Sequence, residues 1–181
     1  IINMPLTYPP RRVNGFMIAG IPTPKEGNFT YPPELEQRLK KDFDYTVYPR
    51  DYALIKKDSE RMTQEVIRLI DTRFRVAKTL WEEYELDFLH LTIFYLNSLQ
   101  HDYWNGKPVE EAWKAIDRNL ADWMKEDNHL FIISDHGSNE IKQVFYINAW
   151  LAREGYLRTN EKMRLSSFMY RLGLNLNTVP R

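Results

Sequence analysis

The chain has 181 residues, long enough to bury one sizeable core. It carries 25 Lys plus Arg against 25 Asp plus Glu, for a formal net charge of zero. With both signs interspersed, that balance excludes electrostatic capture of nucleic acid or of an anionic membrane surface as the expected role. The lack of cysteine excludes disulfides and thiolate metal sites. No apolar run approaches the ~20 residues that span a bilayer, and no signal peptide is visible, so the expected location is cytoplasmic.

Residues 1–33 carry Pro5, Pro9, Pro10, Pro22, Pro24, Pro32 and Pro33 and read as irregular. The apolar residues Phe16, Met17, Ile18, Ile21 and Phe29 argue for an ordered loop packed over a sheet edge rather than a disordered arm. A short helix is expected over 33–41 with Pro33 in its first turn, followed by a short strand or extended piece from Tyr45 to Tyr48. Asp58 or Ser59 then caps a long helix. Its apolar stripe is Met62, Val66, Leu69, Ile70, Phe74, Ala77, Leu80, Trp81 and Tyr84, and Glu60, Arg61, Glu65, Arg68 and Arg73 mark its solvated face.

Residues 86–96 are rich in branched and aromatic side chains and predict a buried strand. An amphipathic helix follows over 108–126, burying Val109, Ala112, Trp113, Ile116, Leu120, Trp123 and Met124. Leu130–Ile133 reads as a second strand buried on both faces. Strand, helix and strand from 86 to 134 predict a right-handed βαβ unit in a single α/β domain over 1–181. A helix over 145–154 closed by Gly155, and one over 161–172 ended by Gly173, complete the reading.

Chemistry concentrates at the ends of the two expected strands. Ser134-Asp135-His136-Gly137 follows the second, where ligands bind in open α/β sheets. A carboxylate beside a neutral imidazole suits Zn²⁺ or Mn²⁺, and Gly137 is expected to let the backbone turn away without a Cβ clash. Asn97-Ser98-Leu99-Gln100-His101 follows the first. Two neighbouring strand ends would gather Asn97, His101, Asp135 and His136 around one pocket. The residues alone equally allow Asp135 as a cap, Asn97 as a turn former and the histidines as loop residues.

Several segments together carry a family resemblance. They are Asn3-Met4-Pro5-Leu6-Thr7-Tyr8-Pro9-Pro10, the run from Val13 to Pro24, Phe29-Thr30-Tyr31-Pro32-Pro33-Glu34-Leu35, Ser98-Leu99-Gln100-His101, Ile133-Ser134-Asp135-His136-Gly137, and Phe145-Tyr146-Ile147-Asn148-Ala149-Trp150-Leu151 with Glu154-Gly155-Tyr156-Leu157. The combination resembles the alkaline phosphatase superfamily, in the branch of type I phosphodiesterases and nucleotide pyrophosphatases. The resemblance implies a three-layer αβα core with a mainly parallel sheet. It also implies two divalent metal ions, usually Zn²⁺ with Mn²⁺ as the other option, at the carboxyl edge of that sheet. One metal would be held by Asp135 and His136. The other would be held by an Asp-x-x-x-His element that here reads Asn97-x-x-x-His101, with an amide where the family has a carboxylate.

The family's early Asp, its Thr or Ser nucleophile and its late His have no counterpart in this sequence, which is therefore expected to be a central piece of such a protein. The implied function is metal-dependent hydrolysis of phosphodiester or pyrophosphate bonds in a nucleotide-type, small-molecule phosphate ester. The rivals are a non-catalytic relative that kept the fold as a scaffold or binding subunit, and a sulfatase-like or phosphomutase-like reaction.

Overall fold

The computed structural model describes residues 1–24, 27–124 and 129–158. The chain divides into two compact units, Ile1–Asn139 and Glu140–Arg181. In the first unit the described elements are β1 (Met17–Ile18), β2 (Thr30–Tyr31), α1 (Leu35–Phe43), α2 (Tyr52–Ile55), α3 (Ser59–Tyr84), α4 (Tyr95–Asp102) and α5 (Lys107–Trp123); α6 (Ile147–Arg153) belongs to the second.

The long helix α3 forms as its sequence pattern predicts. Asp58 adopts extended backbone and its side chain accepts a bond from the Arg61 N–H at 3.1 Å, satisfying one of the orphan donors of the first turn. Met62, Val66, Leu69, Ile70, Phe74, Ala77 and Leu80 are buried. Val76, Ala77 and Leu80 join Ile2, Phe16, Ile18, Phe29, Leu39 and Tyr45 in one apolar cluster. Met62 to Phe74 join Leu96, Leu99, Val109, Ala112 and Ile116 in another. Each fully buried aliphatic side chain contributes ~1.5–3 kcal/mol.

Three expectations for helix faces are corrected. Tyr84, expected on the buried stripe of α3, is 37% exposed. Arg73 is only 3% exposed rather than solvated. Its guanidinium donates to the carbonyls of Leu69 at 3.1 Å and Val47 at 3.0 Å and lies over the Tyr45 ring. Trp113 (49% exposed) and Met124 (72%) fall off the buried face of α5, which uses Ala115 instead.

Sheet structure is sparse among the described residues. β1 and β2 pair antiparallel, and Ile2 makes parallel bridges to Ile18 on one side and Leu91 on the other. The expected strand over 86–96 is limited to that bridge: the Ile2 N–H bonds the His90 carbonyl at 2.7 Å and the Thr92 N–H bonds the Ile2 carbonyl at 3.0 Å. From Tyr95 the chain turns helical, because Tyr95, Leu96 and Leu99 bury one stripe in the cluster that holds α5.

Leu130–Ile133 is not a strand. Among the described residues none of its main-chain groups bonds to another main-chain group, and Phe131 and Ile133 are 84% and 83% exposed. A doubly buried strand needs a paired neighbour and both faces covered, and the described residues supply neither. The predicted βαβ unit over 86–134 is consequently not formed. Tyr45–Tyr48 is not a strand either: the Tyr45 N–H bonds the Leu39 carbonyl at 3.1 Å, and Tyr45 and Val47 are buried as loop anchors. The helix expected at 161–172 lies outside the described residues. In the second unit, α6 ends as predicted at Gly155, whose φ of 82° suits glycine.

Two stability predictions follow from local geometry. A Cβ at Gly20 would sit 2.3 Å from the Met4 carbonyl oxygen and 2.4 Å from that of Asn3. Gly20→Ala should lower stability by about 2–3 kcal/mol in urea unfolding. Gly137→Ala, where a Cβ meets nothing within 4 Å, should stay within about 0.5 kcal/mol. An equal midpoint for the two variants would contradict the packing.

The second prediction concerns Glu65. Burial opposes its ionisation, yet the Arg68 guanidinium (2.7 and 2.8 Å) and the Arg50 N–H (2.8 Å) hold its carboxyl below the ordinary 4.5. A depressed carboxylate stabilises the fold above its unfolded value and loses that contribution as pH falls through the folded one. Glu65→Gln should cost roughly 1–2 kcal/mol near neutrality. The gap from the parent should close as pH drops below 4.5, and a gap independent of pH would refute the assignment.

Candidate functional site

Asp135 and His136 lie on the irregular segment between α5 and α6, with side chains 89% and 63% exposed. His136 Nε2 is 3.7 Å from Asp135 Oδ2. The other ring nitrogen, Nδ1, is 3.1 Å from the Gly137 carbonyl. In the tautomer with a proton on Nδ1, that nitrogen donates to the carbonyl, and the lone pair is left on Nε2, the atom beside the carboxylate. Ser134 Oγ donates to the His136 carbonyl at 2.5 Å, closing a tight loop around the pair. Gly137 needs no special backbone here: a Cβ would meet open space, so its expected role in avoiding a clash is not seen.

Asn97 and His101 both lie on α4, four residues apart and so on one helix face. Neither side chain has a recorded partner among the described residues, and His101 is exposed. The i, i+4 spacing was itself a helical signal, outweighed in the sequence by the apolar run before it. The Ser138 hydroxyl bonds Gln100 Oε1 at 3.3 Å, which brings the segment after His136 alongside α4. His90 is half-buried and bonded to Thr92 Oγ1 at 3.0 Å; His129 is exposed.

The donor set fits part of a divalent-metal site. A carboxylate oxygen and an imidazole nitrogen 3.7 Å apart can occupy two corners of a tetrahedron with bonds of ~2.0–2.2 Å after a small adjustment. They do not complete it: among the described residues no group of three or more His, Cys, Asp and Glu side chains could hold a metal ion.

The model of the type I phosphodiesterase / nucleotide pyrophosphatase family matches residues 4–180. The chain belongs to that family. The family is one of phosphodiester-bond hydrolases, which generally use divalent metals and act on phosphate-ester small molecules. It also implies an α/β fold, of which the described residues show a helix-rich version with one two-stranded sheet. No curated protein and no solved structure matches the chain significantly. No described helix is long and apolar enough to cross a membrane.

The exposed pair generates a binding prediction. Zn²⁺ should bind weakly, with a dissociation constant on the order of tens of micromolar or higher, because only two strong donors converge. Calorimetric titration should show that heat lost in Asp135→Ala and in His136→Ala. Tight stoichiometric binding, or binding that survives both substitutions, would show that other residues hold the metal.

Proposed function

We propose that the chain carries the metal-holding part of a hydrolase that cleaves phosphodiester or pyrophosphate bonds of nucleotide type, with Asp135 and His136 on one metal ion and His101 with Asn97 on a second. The metals are Zn²⁺, with Mn²⁺ as the substitute. The observation that carries the reading is the juxtaposition, within a family match over 4–180, of a solvent-open carboxylate and an imidazole whose Nε2 lies 3.7 Å from it. When bound, such ions polarise a phosphoryl oxygen and stabilise attacking and leaving oxygens. The protein groups hold the ions: Asp135 supplies charge, His136 a neutral nitrogen oriented by the Gly137 carbonyl, and α4 presents Asn97 and His101 on one face.

The architecture in which these residues act is the family's three-layer αβα core with a mainly parallel sheet; the isolated parallel bridges of Ile2 to Ile18 and Leu91 are in keeping with it, beside the antiparallel pair of β1 and β2. A second reading, a relative that kept the fold as a scaffold or binding subunit, is favoured by one residue. Asn97 offers a neutral amide oxygen, a weaker ligand than a carboxylate.

The test is hydrolysis of bis-p-nitrophenyl phosphate with Zn²⁺ or Mn²⁺ by the full-length gene product, since the family's nucleophile has no counterpart in this sequence. Asp135→Ala and His136→Ala should each lower kcat/KM about a thousandfold, the size expected when several kcal/mol of transition-state stabilisation is removed. Asn97→Asp should raise activity at limiting metal. Turnover indifferent to Asp135 and His136 would overturn the assignment. Metal binding without turnover in both the parent and Asn97→Asp would favour the scaffold.

A further inference from the structure

A cleft of about 620 Å³ opens beside the turn that precedes β1, lined by Arg12, Val13, Asn14, Gly15, Tyr31 and Tyr84. Its chemistry is one-sided. The polar side chains on it are a guanidinium, an amide and two phenols, with no carboxylate among them. The Arg12 guanidinium, the Asn14 amide and the two hydroxyls make no hydrogen bond or ion pair among the described residues. The main-chain N–H groups of Val13, Asn14 and Gly15 are also taken by no acceptor among the described residues.

The walls are built rather than loose. Tyr31 is held in the ladder opposite Met17. The Tyr84 ring meets the buried Phe16 edge-on, with centroids 5.3 Å apart. Gly15 takes a φ of 111°, and a Cβ there would already stand 3.3 Å from Leu86.

Charge decides the sign of the ligand. Glu83, next to Tyr84, is held by Arg38 through two bonds of 2.5 and 2.6 Å and is not on the lining. The carboxyl end of α3 opposes an anion with roughly half a charge that fades within one turn, against the full charge of Arg12. The volume is in the range of small-molecule sites and well above a bare ion. We propose that this cleft binds a small organic anion, a phosphate or carboxylate whose flat apolar part rests on the Tyr31 and Tyr84 rings. The proposal does not depend on the metal reading of Asp135 and His136.

The experiment follows the Gly15 amide signal of the ¹⁵N-labelled protein in EDTA while phenyl phosphate, benzoate, inorganic phosphate or phenol is added. Phenyl phosphate or benzoate should shift Gly15 saturably, with a dissociation constant on the order of millimolar, and leave Gly137 in place. Which of the two binds more tightly identifies the anion. Arg12→Gln should weaken binding at least about tenfold, and Arg12→Lys less. Tyr31→Leu should weaken phenyl phosphate more than inorganic phosphate. Binding should persist in Asp135→Ala, which separates this cleft from the metal site. An unmoved Gly15 signal, a shift unaffected by Arg12→Gln, or phenol binding as well as phenyl phosphate would each overturn the proposal. Arg12 is exposed, so the spectrum of Arg12→Gln away from the cleft should remain that of the folded parent.

Discussion

Burial of α3 is the constraint on which the rest of the first unit depends. Its carboxyl-terminal half supplies Val76, Ala77 and Leu80 to the cluster that anchors the irregular amino-terminal segment, and its first half supplies Met62 to Phe74 to the cluster that holds α4 and α5. Trp81 meets Trp123 edge-on at 5.9 Å, tying the helix to the end of α5. Without that shared helix the two clusters would have no common wall, and the segment that carries Ile2, Phe16 and Ile18 would have nothing continuous to pack on.

Apolar burial alone does not explain how residues 43–50 stay in place without a sheet. Three arginines on one helix hold them. Arg75 bonds the Phe43 carbonyl at 3.0 Å, Arg68 bonds the Asp44 carbonyl at 3.2 Å and Thr46 Oγ1 at 2.8 Å, and Arg73 bonds the Val47 carbonyl at 3.0 Å. These bonds satisfy main-chain acceptors that a strand would have satisfied through a ladder. Burial pushes the Arg73 pKa down from its ordinary value, but guanidinium begins so basic that it keeps its charge. The buried charge is tolerated because its donors reach carbonyls and its face rests on the Tyr45 ring. Tyr45 in turn donates to Asn3, whose amide donates to the Ala19 carbonyl at 3.0 Å. One chain of polar contacts thus links α3 to the segment bridged by Ile2.

Residues whose fate is set by nearby sequence were legible; those set by distant partners were not. Asp58 as a cap, the Met62–Leu80 stripe and Gly155 as a terminator each depend on one or two turns of chain, and each is present. Arg73 was misplaced because its position on the helical wheel is marginal and one of its acceptors, the Val47 carbonyl, comes from a loop 26 residues away. The run from 86 to 96 carries both a strand composition and the start of a helical stripe. Burial of Tyr95, Leu96 and Leu99 beside α5 decides for the helix, a tertiary contact that no local pattern announces. At the candidate site, the adjacency of Asp135 and His136 was legible, whereas the approach of Nε2 to the carboxylate and of Nδ1 to the Gly137 carbonyl is a feature that only coordinates provide.

The exposure of that pair bears on what it can do. A carboxylate and an imidazole kept in water lose no solvation on folding, so they cost the fold nothing while unliganded. The same openness means that a cation arriving there must order the loop and shed water without help from a dry, low-dielectric wall. The Ser134 bond to the His136 carbonyl and the imidazole contact to Gly137 hold part of that order in advance. They fix a ring orientation but add no charge, so the affinity of the pair is governed by what else approaches Nε2. The exposed Phe131 and Ile133 just upstream are the apolar surface nearest in sequence that a neighbouring segment could cover. Covering them would lower the local dielectric and strengthen every bond between cation and carboxylate.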